Sequence, residues 1–237
     1  AIAENWGWTA PFYVGGVLAV LGLLLANGLA EVRPQKSSDL TLPRVFQVGR
    51  NRTLLTASFL AILMQSANFS SAYGFTPILA QQLGASKEDL GILLFWYLLP
   101  NTLATLLSGT FIRLYLAERF ILVSGFLLIS VALFATPFVD RLSLLKLVQA
   151  VNGVGIGLLF PLLMSLAIQS VPREQQATAM GFFQSLYAIG MTLGPILSGV
   201  FAQKIGLSSV FVLNGLLGLA GAVFSFYHVP SPSREDS

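Results

Sequence analysis

The sequence contains no cysteine and a single histidine, and charged residues make up only 10% of its 237 positions. Without cysteine, the chain has no disulfide, no thiolate ligand for a metal and no cysteine nucleophile. The single histidine, His228, directly follows the apolar stretch 207–227. This leaves no histidine cluster for a metal and no serine–histidine arrangement for an intramembrane enzyme. We therefore expect a protein that is not an enzyme and that uses no metal or other cofactor.

Charges are missing altogether from seven long stretches, at 11–30, 54–80, 90–112, 120–139, 147–171, 177–203 and 207–227. About 20 apolar residues cross the ~30 Å hydrocarbon core of a bilayer as a helix, and a charge at mid-depth costs several kcal/mol. Continuous apolar runs indicate helices, because the strands of a membrane barrel alternate over only about 10 residues. The sequence therefore predicts an all-α polytopic membrane protein with seven transmembrane helices in the lipid bilayer.

The net charge of +3 does not predict a nucleic-acid partner, because the basic residues form no cluster of binding size. Their distribution predicts an orientation instead. Nine lie in alternate connections, at Arg33, Lys36, Arg44, Arg50, Arg52, Arg113, Arg119, Arg173 and Arg234, and four lie in the others, at Lys87, Arg141, Lys146 and Lys204. Lys and Arg gather on the cytoplasmic side of short loops. We therefore expect a multi-pass plasma-membrane protein with segment 31–52 and the C-terminus in the cytoplasm.

Segment 31–52 is the longest polar stretch and the only predicted boundary between structural units, and Pro34 and Pro43 interrupt any continuous helix there. The chain begins with Ala1, and seven helices leave one outside an even repeat. We therefore interpret the chain as the C-terminal part of a longer protein. The predicted divisions are the last helix of an N-terminal half (1–30), a cytoplasmic linker (31–52), a six-helix C-terminal half (53–229) and a disordered cytoplasmic tail (230–237).

Two of the apolar runs share a weak sequence similarity. An offset of 90 residues matches Gly91 with Gly181, Leu107 with Leu197, Ser108 with Ser198, Gly109 with Gly199 and Phe111 with Phe201. The predicted orientation makes these two helices antiparallel, and similarity between oppositely directed helices is typical of an inverted three-helix repeat. The alternative is chance similarity between two helices rich in Leu and Gly.

Polar and aromatic residues recur on one face of the second, third, fifth and sixth apolar runs. An amide in lipid is costly unless it has a partner. These four faces therefore predict a shared cavity that binds a small-molecule substrate. The alternative is that the amides bond to one another and only hold the bundle together. The candidate cavity residues are Gln65, Asn68, Tyr73, Tyr97, Asn101, Gln149, Asn152, Phe160, Gln184 and Tyr187.

Two stretches resemble the major facilitator superfamily. Residues 5–13, Asn-Trp-Gly-Trp-Thr-Ala-Pro-Phe-Tyr, are similar to the segment that leads into the sixth of that family's twelve helices. Residues 171–199 begin Val-Pro-Arg-Glu and end Gly-Met-Thr-Leu-Gly-Pro-Ile-Leu-Ser-Gly, and they resemble the loop before helix eleven and most of that helix. The resemblance implies a chain that runs from helix six to the C-terminus, with inverted three-helix repeats in its last six helices. It also implies that helices seven, eight, ten and eleven line the substrate path, and these are the four runs with polar faces.

The predicted cavity carries amides, hydroxyls and aromatic rings but no fixed charge, which favours a neutral or amphipathic solute. The resemblance implies secondary active transport by alternating access, in which two halves move around a central site. The N-terminal half of the same protein is then an expected partner. We rank efflux of drug-like compounds first and uptake of a sugar or other metabolite second. A non-transporting membrane sensor or partner subunit on the same fold is the alternative from another class.

Overall fold

A computed structural model describes residues 9–26, 47–108 and 116–229 of the chain. The chain separates into two compact units, Ala1–Asp39 and Leu40–Ser237. All regular secondary structure in the described residues is helical. Residues 31–46 of the predicted linker and the predicted tail 230–237 lie outside the described residues, so the proposed division of the chain stays a prediction.

The first unit contains one described helix, α1 (Ala10–Ala26), of 17 residues. It begins one residue before the predicted run 11–30, and residues 27–30 of that run lie outside the described residues. Seventeen residues are near the lower end of the range that crosses a bilayer as a helix. The first predicted span is therefore present as a shorter apolar helix.

The second unit contains six helical spans that are long and apolar enough to cross a membrane. The first combines α2 (Arg52–Asn68), a π-helical segment (Phe69–Phe75) and α3 (Thr76–Gln82). The others are built on α4 (Lys87–Leu107), α5 (Glu118–Ala135), α6 (Leu142–Gln169), α7 (Gln176–Ile205) and α8 (Leu207–His228). These correspond one to one with the last six predicted runs. The prediction of an all-α polytopic membrane protein is confirmed.

Specific residues begin and end these helices. The side chain of Asn51 accepts two backbone N–H groups in the first turn of α2. Ser86 and Asp89 form a reciprocal capping box that begins α4. Gly206 has a φ of 114°, a conformation that favours glycine, and it turns the chain directly from α7 into α8. The antiparallel order of the spans therefore has local causes in the sequence.

The π-helical segment interrupts the α-helix of the first span just before Pro77. Proline has no N–H, so the carbonyl of Tyr73, four residues earlier, cannot receive the usual α-helical hydrogen bond. The N–H of Thr76 donates instead to the carbonyl of Ser71, five residues back. Such π-helical turns are rare and are found frequently at functional sites. The other prolines of the second unit's spans include Pro100 and Pro161, which lie inside continuous α-helices.

The most extensive helix contacts in the second unit join α4 with α6, α5 with α8, and α7 with α2. The first helix of each predicted three-helix repeat thus packs against the second helix of the other repeat, and the two third helices pack against each other. Two repeats related by a twofold axis in the membrane plane produce this exchange. The packing agrees with the predicted inverted repeat.

Glycines allow the two exchanged pairs to approach closely. A Cβ atom at Gly153 or Gly157 of α6 would overlap a main-chain carbonyl oxygen of α4. A Cβ atom at Gly190 of α7 would overlap the carbonyl oxygen of Ile62 on α2, and Gly194, one turn later, also lies against α2. In lipid no hydrophobic driving force holds helices together, so their association depends on close packing, which small residues at such positions allow. Close backbone packing therefore joins the two repeats.

The orientation of these spans stays a prediction, which single cysteines can test because the chain has none of its own. Gln82 ends α3 and Glu174 lies in the turn before α7, and both side chains are exposed. We expect an impermeant thiol reagent added to intact cells to label Q82C, and to label E174C only after permeabilisation. Labelling of E174C alone in intact cells would reverse the assignment.

Candidate functional site

The structure describes all ten predicted cavity residues, and five of them are buried: Gln65, Asn68, Tyr97, Gln149 and Asn152. The others are half-buried or exposed: Tyr73, Asn101, Phe160, Gln184 and Tyr187. They occupy the first span together with α4, α6 and α7, as the sequence predicts. The structure arranges most of these side chains in three groups, and two of the groups also include a residue outside the predicted set.

The first group joins the first span to α4. The hydroxyl of Tyr97 donates to Asn68 Oδ1 at 2.7 Å, and Asn68 Nδ2 donates to Gln65 Oε1 at 3.2 Å. The ring of Tyr73 packs edge-on against that of Tyr97, with 5.8 Å between centroids. We name these four residues the Asn68 network. Asn68 is the last residue before the π-helical segment, so the network connects the irregular turn of the first span with α4.

The second group joins α6 to α3. Gln149 Nε2 donates to Thr76 Oγ1 at 3.0 Å. Gln149 Oε1 and both side-chain polar atoms of Asn152 are buried and bond to no described residue. A buried polar atom without a partner costs about 1–3 kcal/mol. These three atoms are therefore available to a water molecule or to the polar groups of a solute.

A cavity of about 180 Å³ lies between these two groups. Tyr73, Thr76, Tyr97 and Gln149 contribute its polar and aromatic lining, and alanine, proline and leucine side chains complete it. Sites for small molecules combine a mostly apolar wall with a few placed polar groups in this way. The π-helical segment supplies Tyr73, so the irregular turn itself forms part of the wall.

The third group is aromatic and joins α6 to α7. The ring of Tyr187 packs edge-on against Phe160 at 6.0 Å and against Phe183 at 5.3 Å between centroids. Gln184, on the same helix, is exposed. This group offers ring edges and faces to an apolar solute.

The candidate site has no charged side chain, and the described residues contain no group of three side chains suited to a metal ion. Binding would therefore depend on aromatic contact and on hydrogen bonds to amides and hydroxyls. Such a surface suits an uncharged group and offers no counterion to a phosphate or a dicarboxylate.

Sequence reasoning missed several residues of these contacts. Thr76 is not among the ten predicted residues, and only the structure shows that it accepts from Gln149. Phe183 gave no signal because one more aromatic residue in an apolar run looks like ordinary packing. A reciprocal pair joins Asn51 to Ser170: Asn51 Nδ2 donates to the Ser170 carbonyl at 3.1 Å, and Ser170 Oγ donates to Asn51 Oδ1 at 2.9 Å. It links the start of α2 to the end of α6 across 119 residues.

Six apolar spans packed as two exchanged three-helix repeats are an arrangement that many secondary transporters share. Residues 54–237 match the model of the Major Facilitator Superfamily. The chain belongs to that family and is part of a multi-pass membrane protein. The predicted resemblance is confirmed.

Three curated relatives are similar to the chain at low identity. An uncharacterized MFS-type transporter of Methanocaldococcus jannaschii is 26% identical over 63% of this chain and 38% of its own length. The quinolone resistance protein NorA of Staphylococcus aureus is 25% identical over 67% of this chain and 40% of its own length. The multidrug export protein EmrB of Haemophilus influenzae is 27% identical over 80% of this chain and 37% of its own length. The chain thus spans about two fifths of the relatives it matches.

Proposed function

We propose that the whole protein is a secondary active transporter that exports small neutral or amphipathic, drug-like compounds across the plasma membrane by alternating access. The chain described above would supply one wall of the substrate path, and the N-terminal half of the same protein would supply the other. No catalytic step is part of this proposal.

The observation that carries the proposal is the cavity between the Asn68 network and Gln149. Its wall combines aromatic rings with uncharged hydrogen-bonding groups and contains no fixed charge. Its volume of about 180 Å³ is below the ~300–1,000 Å³ of sites that enclose a drug-sized ligand. A facing half would provide the remaining volume, as alternating access between two halves requires. The names of two relatives, a quinolone resistance protein and a multidrug export protein, support the export direction.

We expect the full-length protein to lower the accumulation of a fluorescent lipophilic dye, and of a quinolone, in cells deprived of their own export pumps. Replacing Tyr187 with leucine removes one ring of the aromatic group that α6 and α7 form. If this ring contacts the dye, the lost aromatic contact is worth about 0.5–1.5 kcal/mol, and the apparent affinity for the dye should fall roughly two- to tenfold. Dye export measured against substrate concentration checks this result.

The matched control is Ser185→Ala on the same helix, where an exposed hydroxyl bonds only to the carbonyl of Gly181 one turn earlier. This variant should export the dye like the wild type at equal expression. Equal losses in the two variants would contradict the role of the aromatic group. The absence of energy-dependent dye export by the wild type would contradict the function itself.

A second candidate function is uptake of a sugar or other metabolite. It is favoured by one observation, the buried amide atoms of Gln149 and Asn152 that bond to no described residue, because amides also bind hydroxyl-rich ligands. Sugar-dependent accumulation in vesicles, without dye export, would favour this candidate. Binding without flux of either class would favour the non-transporting sensor or partner subunit.

A further inference from the structure

A second cavity, of about 370 Å³, lies apart from the predicted cavity residues. It forms where four spans end on the same side of the second unit: α2 and α5 begin there, and α6 and α8 end there. Its lining includes Arg52, Thr53, Thr56, Arg119, Tyr227 and His228. The cavity is therefore larger and more basic than the candidate substrate cavity.

Two arginines line this cavity, and no described acidic residue lines it with them. Arg52 is the first residue of α2 and is exposed, and Arg119 is the second residue of α5. The described ion pairs join Arg141 to Asp140 and Lys146 to Asp89, and no described carboxylate lines the cavity. Glu118, which precedes Arg119, does not line the cavity. The described lining of the cavity thus carries a net positive charge.

The side chain of Arg119 is held in place by α8. Its Nε donates to the carbonyl oxygen of Val229 at 2.9 Å, and its guanidinium lies 5.0 Å from the ring centroid of Phe226. The bond to Val229 uses one of the five N–H donors of a guanidinium. No other described residue accepts from it. A guanidinium that is fixed through its Nε is suited to contact a phosphate or carboxylate with its two terminal nitrogens.

The cavity lies at the ends of spanning helices, where we expect the boundary between lipid headgroups and acyl chains. Its arginines and Tyr227 lie within the first or last turns of spanning helices, where charged and aromatic residues meet the headgroup region. Ala57 and Leu166 give it an apolar and buried floor. A ligand with a charged group and an adjoining apolar part would satisfy both regions.

We propose that this cavity binds the headgroup phosphate of an anionic phospholipid. The two guanidinium groups would bind the phosphate oxygens, and the hydroxyls of Thr53 and Thr56 would add donors beside them. Basic pockets between membrane helices recognise anionic headgroups by this chemistry. The site stands apart from the substrate path, so it does not depend on which solute the protein transports.

The test measures the thermal unfolding midpoint of the purified full-length protein in a neutral detergent. The added ligands are dioctanoyl phosphatidylglycerol, dioctanoyl phosphatidylcholine or inorganic phosphate. A ligand that binds only the folded protein raises the midpoint with its concentration, which gives an apparent Kd. We expect saturable binding of phosphatidylglycerol alone. Arg52→Gln should weaken this binding about fivefold, since one basic residue near the surface contributes about that factor.

The matched control is Arg173→Gln, which removes an exposed arginine from the turn before α7, outside the cavity. Its Kd for phosphatidylglycerol should stay within twofold of the wild type. If Arg52→Gln unfolds before lipid is added, Arg52→Lys takes its place in the test. Lysine keeps the positive charge but lacks the planar pair of N–H donors of a guanidinium, so this variant should still weaken binding at least twofold. Equal losses in the Arg52 and Arg173 variants would overturn the proposal. So would equal binding of phosphatidylcholine, or binding of inorganic phosphate that matches the lipid.

Discussion

Replacing Gly190 with alanine is expected to destabilise the protein more than alanine at any of the other glycines of α7. The new Cβ atom would overlap the carbonyl oxygen of Ile62 and lie 3.0 Å from the Cα of that residue. Main-chain atoms cannot rotate away as a side chain can, so α7 must move away from α2. Overpacking of this kind costs about 1–3 kcal/mol. We expect a thermal unfolding midpoint several degrees lower for the purified full-length protein in detergent.

The same helix offers a control for this substitution. Gly181 is exposed and has no atom near a Cβ built on it. Gly181→Ala should leave the unfolding midpoint unchanged or raise it slightly, because alanine has the higher helix propensity by about 1 kcal/mol. If both variants unfold at the same temperature, the close approach of α7 to α2 does not contribute to stability. A leucine at position 190 should then also be tolerated.

The helical architecture was largely predictable because a membrane imposes simple rules on sequence. Backbone groups in lipid must bond within a helix, and charges must stay out of the hydrocarbon, so the charge-free runs predict the spans to within a few residues. The sequence predicted an inverted repeat, but it did not predict that α4 packs against α6 and α7 against α2. Periodic glycines such as Gly190 and Gly194 indicate that a helix packs closely, but they do not identify its partner.

The π-helical turn could not be predicted. Proline inside a span removes a backbone hydrogen bond and favours a bend, yet Pro100 and Pro161 lie within continuous α-helices and only Pro77 of these three follows a π-helical segment. Whether a π-helical turn forms before a proline depends on contacts with neighbouring residues. The hydroxyl of Ser71 donates to the carbonyl of Ala67 at 2.5 Å in that turn. Such a contact has no recognisable pattern in a single sequence.

The candidate site was predictable as a set of helix faces and not as a set of contacts. Periodicity placed Asn68 and Tyr97 toward a common interior, and the structure shows that they bond to each other. It could not distinguish an amide that binds solute from one that joins helices. Asn214 illustrates the second case, since its Nδ2 donates to Ser198 Oγ at 3.0 Å and to the Val210 carbonyl at 2.8 Å, joining α8 to α7.

The second large effect is expected from Asn68→Ala. This change leaves the Tyr97 hydroxyl and Gln65 Oε1 without their partners in the Asn68 network, and Tyr97 lines the proposed substrate cavity. If the amide also bonds to solute, the apparent affinity for the transported dye should fall about tenfold at equal expression. Asn214→Ala is the matched control, because it also removes a buried, bonded amide. We expect it to lower the unfolding midpoint and to leave the dye affinity of the folded protein unchanged.

A double-mutant cycle that combines Asn68→Ala with Tyr97→Phe measures the coupling between these two residues of the Asn68 network. Phenylalanine keeps the ring that packs against Tyr73 and removes only the hydroxyl that donates to Asn68. Because both substitutions break the same hydrogen bond, their effects on dye affinity should not add, with a coupling free energy of about 0.5–3 kcal/mol. Dye export at several concentrations, in vesicles matched for the amount of folded protein, gives the four affinities. Additive effects on affinity would mean that the two residues act independently. Effects confined to the unfolding midpoint would mean that the Asn68 network holds the bundle together, as Asn214 and Ser198 do, and has no part in binding solute.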